Sequence, residues 1–295
     1  MSKHYVVYEN DLKFKKHRHI QPENVIWNDD SLKDRFYNDD LDTINYRITE
    51  CEKTNYLYLD LSNLDLPKMP KLDKYANYEQ IKKIKFLFIN NNNISSISNE
   101  LKIFTDLEVL DISWNNIDTI GYVPSKIKEF VCHNNKLSEL PHLNNIEKID
   151  CSHNYIKSIF TYNNLDELIC FNNEITHLNE FANLKKLICK NNPLTSINKQ
   201  PKLNYLECSF TKLSGQFSNM PALKFLVCNH TDITDISNLN SIESLEMVGT
   251  NIQKIPYIQS LKILLFHNDL DIMLAESYKI IDYIKEHDNS CVRFE

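Results

Sequence analysis

Apolar residues return along this chain in one frame, L-x-x-L-x-L/C-x-x-N-x-L-x-x-L. The frame begins at Tyr56, Ile84, Leu107, Ile127, Ile146, Leu165, Leu184, Leu203, Leu223, Ile242 and Leu261, in steps of 28 and 23 residues and then of 19 or 20. Its fourth position follows as Leu59, Leu87, Leu110, Phe130, Ile149, Leu168, Leu187, Leu206, Leu226, Leu245 and Leu264. Alternation around positions four and six predicts a short strand with those two side chains inward and the intervening ones outward. A unit of this size cannot bury its own apolar residues, so stacked neighbours must supply the core. The strands are then expected to form a parallel sheet.

The turn after each strand leaves backbone groups that need partners. Asn92, Asn115, Asn135, Asn154, Asn173 and Asn192 recur at position nine. Each carboxamide carries two donors and an acceptor, enough to bridge adjacent turns. Leucine stands there at Leu64 and threonine at Thr211, Thr231 and Thr250, while Asp269 ends the series. Threonine offers a smaller repertoire of the same bonding.

This pattern resembles the leucine-rich repeat family, over about residues 56–270 and about 11 repeats. The repeat length and the L-x-x-L-P or I-x-x-I return resemble the short-repeat class. The resemblance implies an α/β-type repeat solenoid, rich in β: a curved horseshoe with a parallel concave sheet and little helix on the convex side. Both ends of a solenoid expose core and need caps. Residues 1–55 are read as the N-terminal cap, with a helix from Ser31 to about Glu50 and an N-cap at Asp30 or Ser31. Residues 271–295 are read as a C-terminal helical cap, since Leu274, Tyr278, Ile281 and Ile284 share one helical face.

Cysteine occupies position six in six consecutive repeats, as Cys132, Cys151, Cys170, Cys189, Cys208 and Cys228. Earlier repeats carry Leu61, Ile89 and Ile112 there, which marks the position as apolar core. Free cysteine behaves as a small buried hydrophobe. No C-x-x-C spacing accompanies the ladder, so it reads as packing, with no metal and no cofactor. Cys51 and Cys291 fall outside it and are the thiols expected to be accessible.

Function is expected on the outward strand positions, because the concave sheet is the usual binding face of the family that the repeats resemble. Val131, Ile169, Ile188 and Val227 lie at position five, with Phe171, Tyr205, Phe210 and Phe225 near them. Together they predict an exposed apolar–aromatic patch for a protein partner, with self-association as an alternative use. Lys148, Glu167 and Lys186 at position three, beside Glu147, Asp166 and Lys185, are expected to form a charged rim. A second reading is an adaptor working through its ends, since "QPENVIW" at 21–27 resembles the opening of an F-box without its leading leucine.

Composition narrows the choice. Only 3 glycines among 295 residues argue against glycine-rich phosphate loops. A net charge of −7 offers no general attraction to nucleic acid or an anionic membrane, and the one basic cluster, Lys13 to His19, is short. No apolar run reaches the ~18 residues that span a bilayer, and the N-terminus lacks a secretory apolar core. Eight cysteines in such a chain point to a reducing compartment, the cytoplasm or a host cytoplasm. The bias toward asparagine, isoleucine and lysine resembles products of AT-rich genomes, such as those of large DNA viruses, protists or effector-bearing bacteria. The chain is read as non-enzymatic. The remote hydrolase alternative places Ser113, His133 and the acids Asp111 and Asp150 on adjacent strands, and His133 with His153 is the remote metal alternative.

Overall fold

The computed structural model describes residues 40–217, 220–252, 255–266 and 291–294. The reading of the basic cluster, the F-box-like segment, the N-cap at Asp30 or Ser31 and the helix over 273–287 lies outside the described residues. Within them, one sheet of twelve strands runs from Tyr58–Asp60 to Cys291–Phe294. Every pair in it is parallel.

Each strand is about three residues long because only positions three to five stay extended before the turn. Position four is buried in all eleven repeats, from Leu59 to Leu264, and position six is buried from Leu61 to Phe266. The sheet pairs these positions in register, for instance Leu168 with Leu187 and Leu187 with Leu206. Register is strongly specified, since a one-residue slip would turn the whole apolar set outward. Each buried leucine or isoleucine contributes roughly 1.5–3 kcal/mol, and the core is one continuous column of such contributions.

The return path is mostly irregular. Short parallel pairs occur at Ser96–Ile97 with Thr119–Ile120, at His177–Leu178 with Ser196–Ile197, and at Ser214–Gln216 with Asp232–Asp235. The two long steps in the frame have a local cause. The 28-residue step holds a 3-10 turn at Leu72–Lys74 and the helix Tyr78–Ile81, and the 23-residue step holds the 3-10 turn Glu100–Ile103. Asn77 and Gln80 form a reciprocal capping box on the short helix.

At the N-terminal end, helix Asp40–Lys53 buries Ile44, Ile48 and Cys51, three residues at helical spacing. Its Arg47 reaches Asp60 on the first strand at 3.3 Å and the carbonyl of Ser62 at 3.4 Å. A helix is thus present over 40–53, where one was expected from Ser31 to about Glu50, and 31–39 lies outside the described residues. Its position overturns one expectation: Cys51 is 1% exposed, because it lies on the helix face that covers the first repeat.

Candidate functional site: the outer sheet face and its turn edge

Positions three, five and seven of successive strands build the outer face of the sheet, and position eight opens the turn that follows. The predicted apolar patch is only partly there. Val131 is 7% exposed and Ile169 is 6% exposed, so neither is a surface residue. Strand neighbours lie only ~4.8 Å away on each side, and Ile169 is flanked in register by Asp150 and Ile188. Ile188, Phe171, Tyr205, Phe225 and Val227 are half-buried. Phe210 is 56% exposed, but it sits in the turn and off the strand.

The structure sorts these residues into small groups. Tyr205 and Phe225 are register partners with ring centroids 6.4 Å apart. The Phe171 ring meets the His153 ring edge-on at 5.0 Å and lies 5.4 Å under the Lys190 ammonium. That ammonium also pairs with Glu207 at 2.8 Å. Lys186 pairs with Glu167, again at 2.8 Å, in a partly shielded position. Of the charged rim expected from position three, Glu167 and Lys186 thus form a cross-strand ion pair.

A second row of charge runs one residue earlier. Glu108 joins Lys85 and Lys128, and Glu243 joins Lys224 and Lys262, all at 2.8 Å. Lys185 pairs with Asp166 at 3.2 Å. The lysine hydrogen bonds hold the Glu108 and Glu243 carboxyls below their ordinary range.

Three acids of position five are tied down by a motif that the repeat frame alone did not reveal. Asp60, Asp111 and Asp150 each accept from the backbone N–H and the hydroxyl of the serine two residues on, Ser62, Ser113 and Ser152. The D-x-S spacing was the available signal. It decides the hydrolase geometry: Ser113 Oγ donates to Asp111 at 2.6 Å and is buried. His133 Nδ1 contacts the Asn134 carboxamide at 2.8 Å, and its ring lies edge-on to Trp114. The serine hydroxyl thus donates to the acid of its own turn. Among the described residues no group of three His, Cys, Asp or Glu converges on a metal position.

The position-nine asparagines form the expected ladder. Asn154 is representative: its Oδ1 accepts from Leu137 N–H in the preceding repeat, and its Nδ2 donates to the carbonyls of Cys132, Cys151 and Ser152. The same bridging recurs at Asn92, Asn115, Asn135, Asn173 and Asn192. Thr211, Thr231 and Thr250 instead donate to the position-six carbonyl of their own repeat.

The cysteine ladder is buried throughout. Burial pushes the thiols of Cys132, Cys151, Cys170, Cys189 and Cys208 well up, and that of Cys228 to about 12. A thiol held protonated is a poor nucleophile and a poor metal ligand.

Sequence reasoning also missed the backbone at position eight. Its N–H donates to the position-seven carbonyl of the next repeat, as in Trp114 to His133, His153 to Phe171 and Phe210 to Asn229. Position eight lies in the left-handed region in every described repeat, from Asn63 at φ 59° to Gly249 at φ 65°. Asparagine and glycine suit it. Trp114 at φ 52° and Phe210 at φ 56° do not.

With this geometry in view, comparisons define the class. The chain resembles the leucine-rich effector YopM from Yersinia pestis, with a TM-score of 0.63 and 21% identity over 77% of this chain and 69% of that one. A leucine-rich repeat protein of Leptospira interrogans aligns with a TM-score of 0.57 and 19% identity, over 75% of this chain and 68% of the other. TLR13 in its complex with ssRNA13 aligns with a TM-score of 0.57 and 18% identity, over 72% of this chain and 39% of that one. The fold is the leucine-rich repeat solenoid. In sequence, 98 residues are 34% identical to Toll-like receptor 2 of Ovis aries and of Bos taurus, covering 32% of this chain and 12% of each receptor. The chain thus matches a small part of those relatives' length. No protein-family model matches it. No helix among the described residues is long and apolar enough to cross a membrane.

Proposed function

We propose that this protein is a non-enzymatic scaffold that recognises a protein partner through the outer, concave face of its sheet. One observation carries the reading: Ile188, Tyr205, Phe225 and Val227 lie on three adjacent in-register strands and keep part of their apolar surface in water. Fixed ion pairs at Lys186–Glu167 and Lys190–Glu207 border them. An apolar centre inside a polar border is the usual anatomy of a recognition surface. The fold supports the reading in general, because stacked repeats present one long continuous face. The buried, protonated thiols fit a scaffold in a reducing compartment, here assigned to the cytoplasm.

Cross-linking pull-down with the wild-type chain and with Ile188→Glu/Val227→Glu tests it. Both side chains are half-buried on the outer face, so the variant keeps its thermal transition and loses its cross-linked partner. Retention of the partner by the folded variant refutes the reading. Val131 and Ile169 are unsuitable for this test, since a glutamate at either buried site would unfold the sheet.

A further inference from the structure

We propose that the solenoid bends at one built-in hinge, between its seventh repeat (184–202) and its eighth (203–222), and that this hinge adapts the concave face to its partner. The role in recognition rests on the concave-face reading, whereas the hinge itself follows from how the two turns are joined.

On the sheet side the junction is complete. Lys186, Leu187 and Ile188 pair in register with Tyr205, Leu206 and Glu207, and Lys190 bonds Glu207 across it. Cys189 N–H donates to the Glu207 carbonyl, and Asn191 N–H to that of Ser209. The return side is different. Among the described residues, no hydrogen bond or ion pair joins 192–202 to 211–222. Every other junction from the first repeat to the tenth has at least one. A bond from position ten to the position-eleven carbonyl of the preceding repeat recurs from Asn93–Leu66 to Glu174–Ile156, and again at Asp232–Leu213. Thr195–Thr176 and Asn251–Asp232 join the remaining two. Repeats four and five also lack return strands, yet Tyr155 N–H still reaches the Leu137 carbonyl there.

The sequence supplies the causes. Thr211 stands where six repeats carry a bridging asparagine, and its hydroxyl donates to Cys208 of its own repeat. Lys212, at position ten, makes no such bond to Leu194. The eighth repeat also holds one extra residue before its inward side chain. Phe217 is buried at position fifteen, whereas Ile236 is buried at position fourteen of the next repeat. Gly215 takes up the excess at φ +75°, and the pairing with Asp232–Asp235 shifts register beside it. Ser196–Ile197 and Ser214–Gln216 therefore face each other unpaired, across an open cleft of about 180 Å³.

Two turns tied along one side and free along the other move like a hinged pair. The cleft gives them room to close without breaking a hydrogen bond. The hinge line runs through the proposed recognition surface, with Ile188 on one arm and Tyr205, Phe225 and Val227 on the other. Seven repeats at ~4.8 Å make an arm of roughly 34 Å, so a bend of about 10° moves its far end by about 6 Å. A partner that fits one curvature better selects it from the ensemble.

Double electron–electron resonance on the full chain tests the hinge without a partner. Spin labels at Ser158→Cys/Thr234→Cys span four repeats across the junction. Labels at Ser96→Cys/His177→Cys span four repeats that exclude it and include the strandless fourth and fifth. All four sites are exposed, the cysteines of the repeats are buried, and Cys291→Ser clears the background. The distance distribution across the junction should be at least twice as wide as the control. Thr211→Asn restores the carboxamide bridge and should narrow it to the control width. Equal widths for the two pairs would overturn the proposal, as would an unchanged width in folded Thr211→Asn. Should that variant not fold, the two wild-type pairs decide alone. The pull-down with Ile188→Glu/Val227→Glu separates the two failures. Equal widths with the partner lost leave the recognition surface standing without its hinge; unequal widths with the partner retained leave the hinge and remove the surface.

Discussion

The residue at position nine divides the solenoid into an asparagine stretch and a threonine stretch. From Asn92 to Asn192 each turn is stitched to the one before it by a carboxamide that serves both repeats. From Thr211 to Thr250 the hydroxyl bonds inside its own repeat, and none of the described bonds from these threonines crosses to the preceding turn. The sheet ignores the change: Lys186 pairs with Tyr205 and Tyr205 with Phe225 in unbroken register. The return side is interrupted at the change and also within the asparagine stretch: the pairs at Thr119–Ile120, at Ser196–Ile197 and at Ser214–Gln216 belong to three separate small sheets. A cleft of about 180 Å³ lies at the change, lined by Thr195, Ile197, Leu213, Phe217 and Met220, and the next pair shifts register at Gly215, whose φ is +75°. Backbone pairing and the apolar columns thus run through the change, while the asparagine carboxamides add bonds between neighbouring turns.

The largest expected difference between the stretches comes from removing a turn side chain. Asn154→Ala or Asn173→Ala leaves buried groups of two repeats without partners and should cost roughly 1–3 kcal/mol. Thr231→Ala removes one bond and should cost about 0.5–1.5 kcal/mol. Urea denaturation midpoints check both. Equal losses would mean that the two ladders are energetically equivalent.

Weaker coupling should let the threonine stretch open first. In sub-denaturing urea, mass-resolved thiol labelling should reach Cys208 and Cys228 before Cys132, Cys151 and Cys170. In native buffer all six, and Cys51, should stay unmodified, since each is buried and its thiol is held protonated. Simultaneous labelling would show that the solenoid opens as one unit.

Relief of backbone strain is a smaller effect and places one site in each stretch. Trp114→Asn and Phe210→Asn should each stabilise by up to about 1 kcal/mol, the left-handed penalty less the lost ring contact. The thermal midpoint measures it. A gain only at Phe210 would show that the asparagine stretch absorbs its strain.

The smallest effect should be the same in both stretches. Glu108 and Glu243 have folded pKa values below the ordinary 4.5, each because two lysines bond the carboxylate. Their stabilisation is complete above 4.5 and is lost as pH falls from there through the lower folded values, where the unfolded chain takes up protons first. Glu108→Gln and Glu243→Gln should each flatten the acid limb of the stability–pH curve by a similar small amount. The exposed lysines limit the size of the effect.

Much of this was legible before any coordinates. The frame placed Leu168 and Cys170 inward, put Asn154 and Asn173 in a bridging turn, and read Cys132 to Cys228 as packing. Those assignments depend on periodicity, which is a property of the chain. The outer face was less legible. Val131 and Ile169 were expected outside and are buried, and Cys51 was expected to be accessible and is covered by its helix. Ser113 was within a strand of His133 in the frame, yet its hydroxyl bonds Asp111.

By itself the sequence determined the repeat, the inward columns, the turn ladder and its change at Thr211. Each of these follows from residue types recurring at a fixed spacing. Only the tertiary structure decided which outward residues meet water, which acids are spoken for, and that Trp114 and Phe210 stand strained and exposed in one column. These depend on what the adjacent repeat places ~4.8 Å away, and no single repeat contains that information.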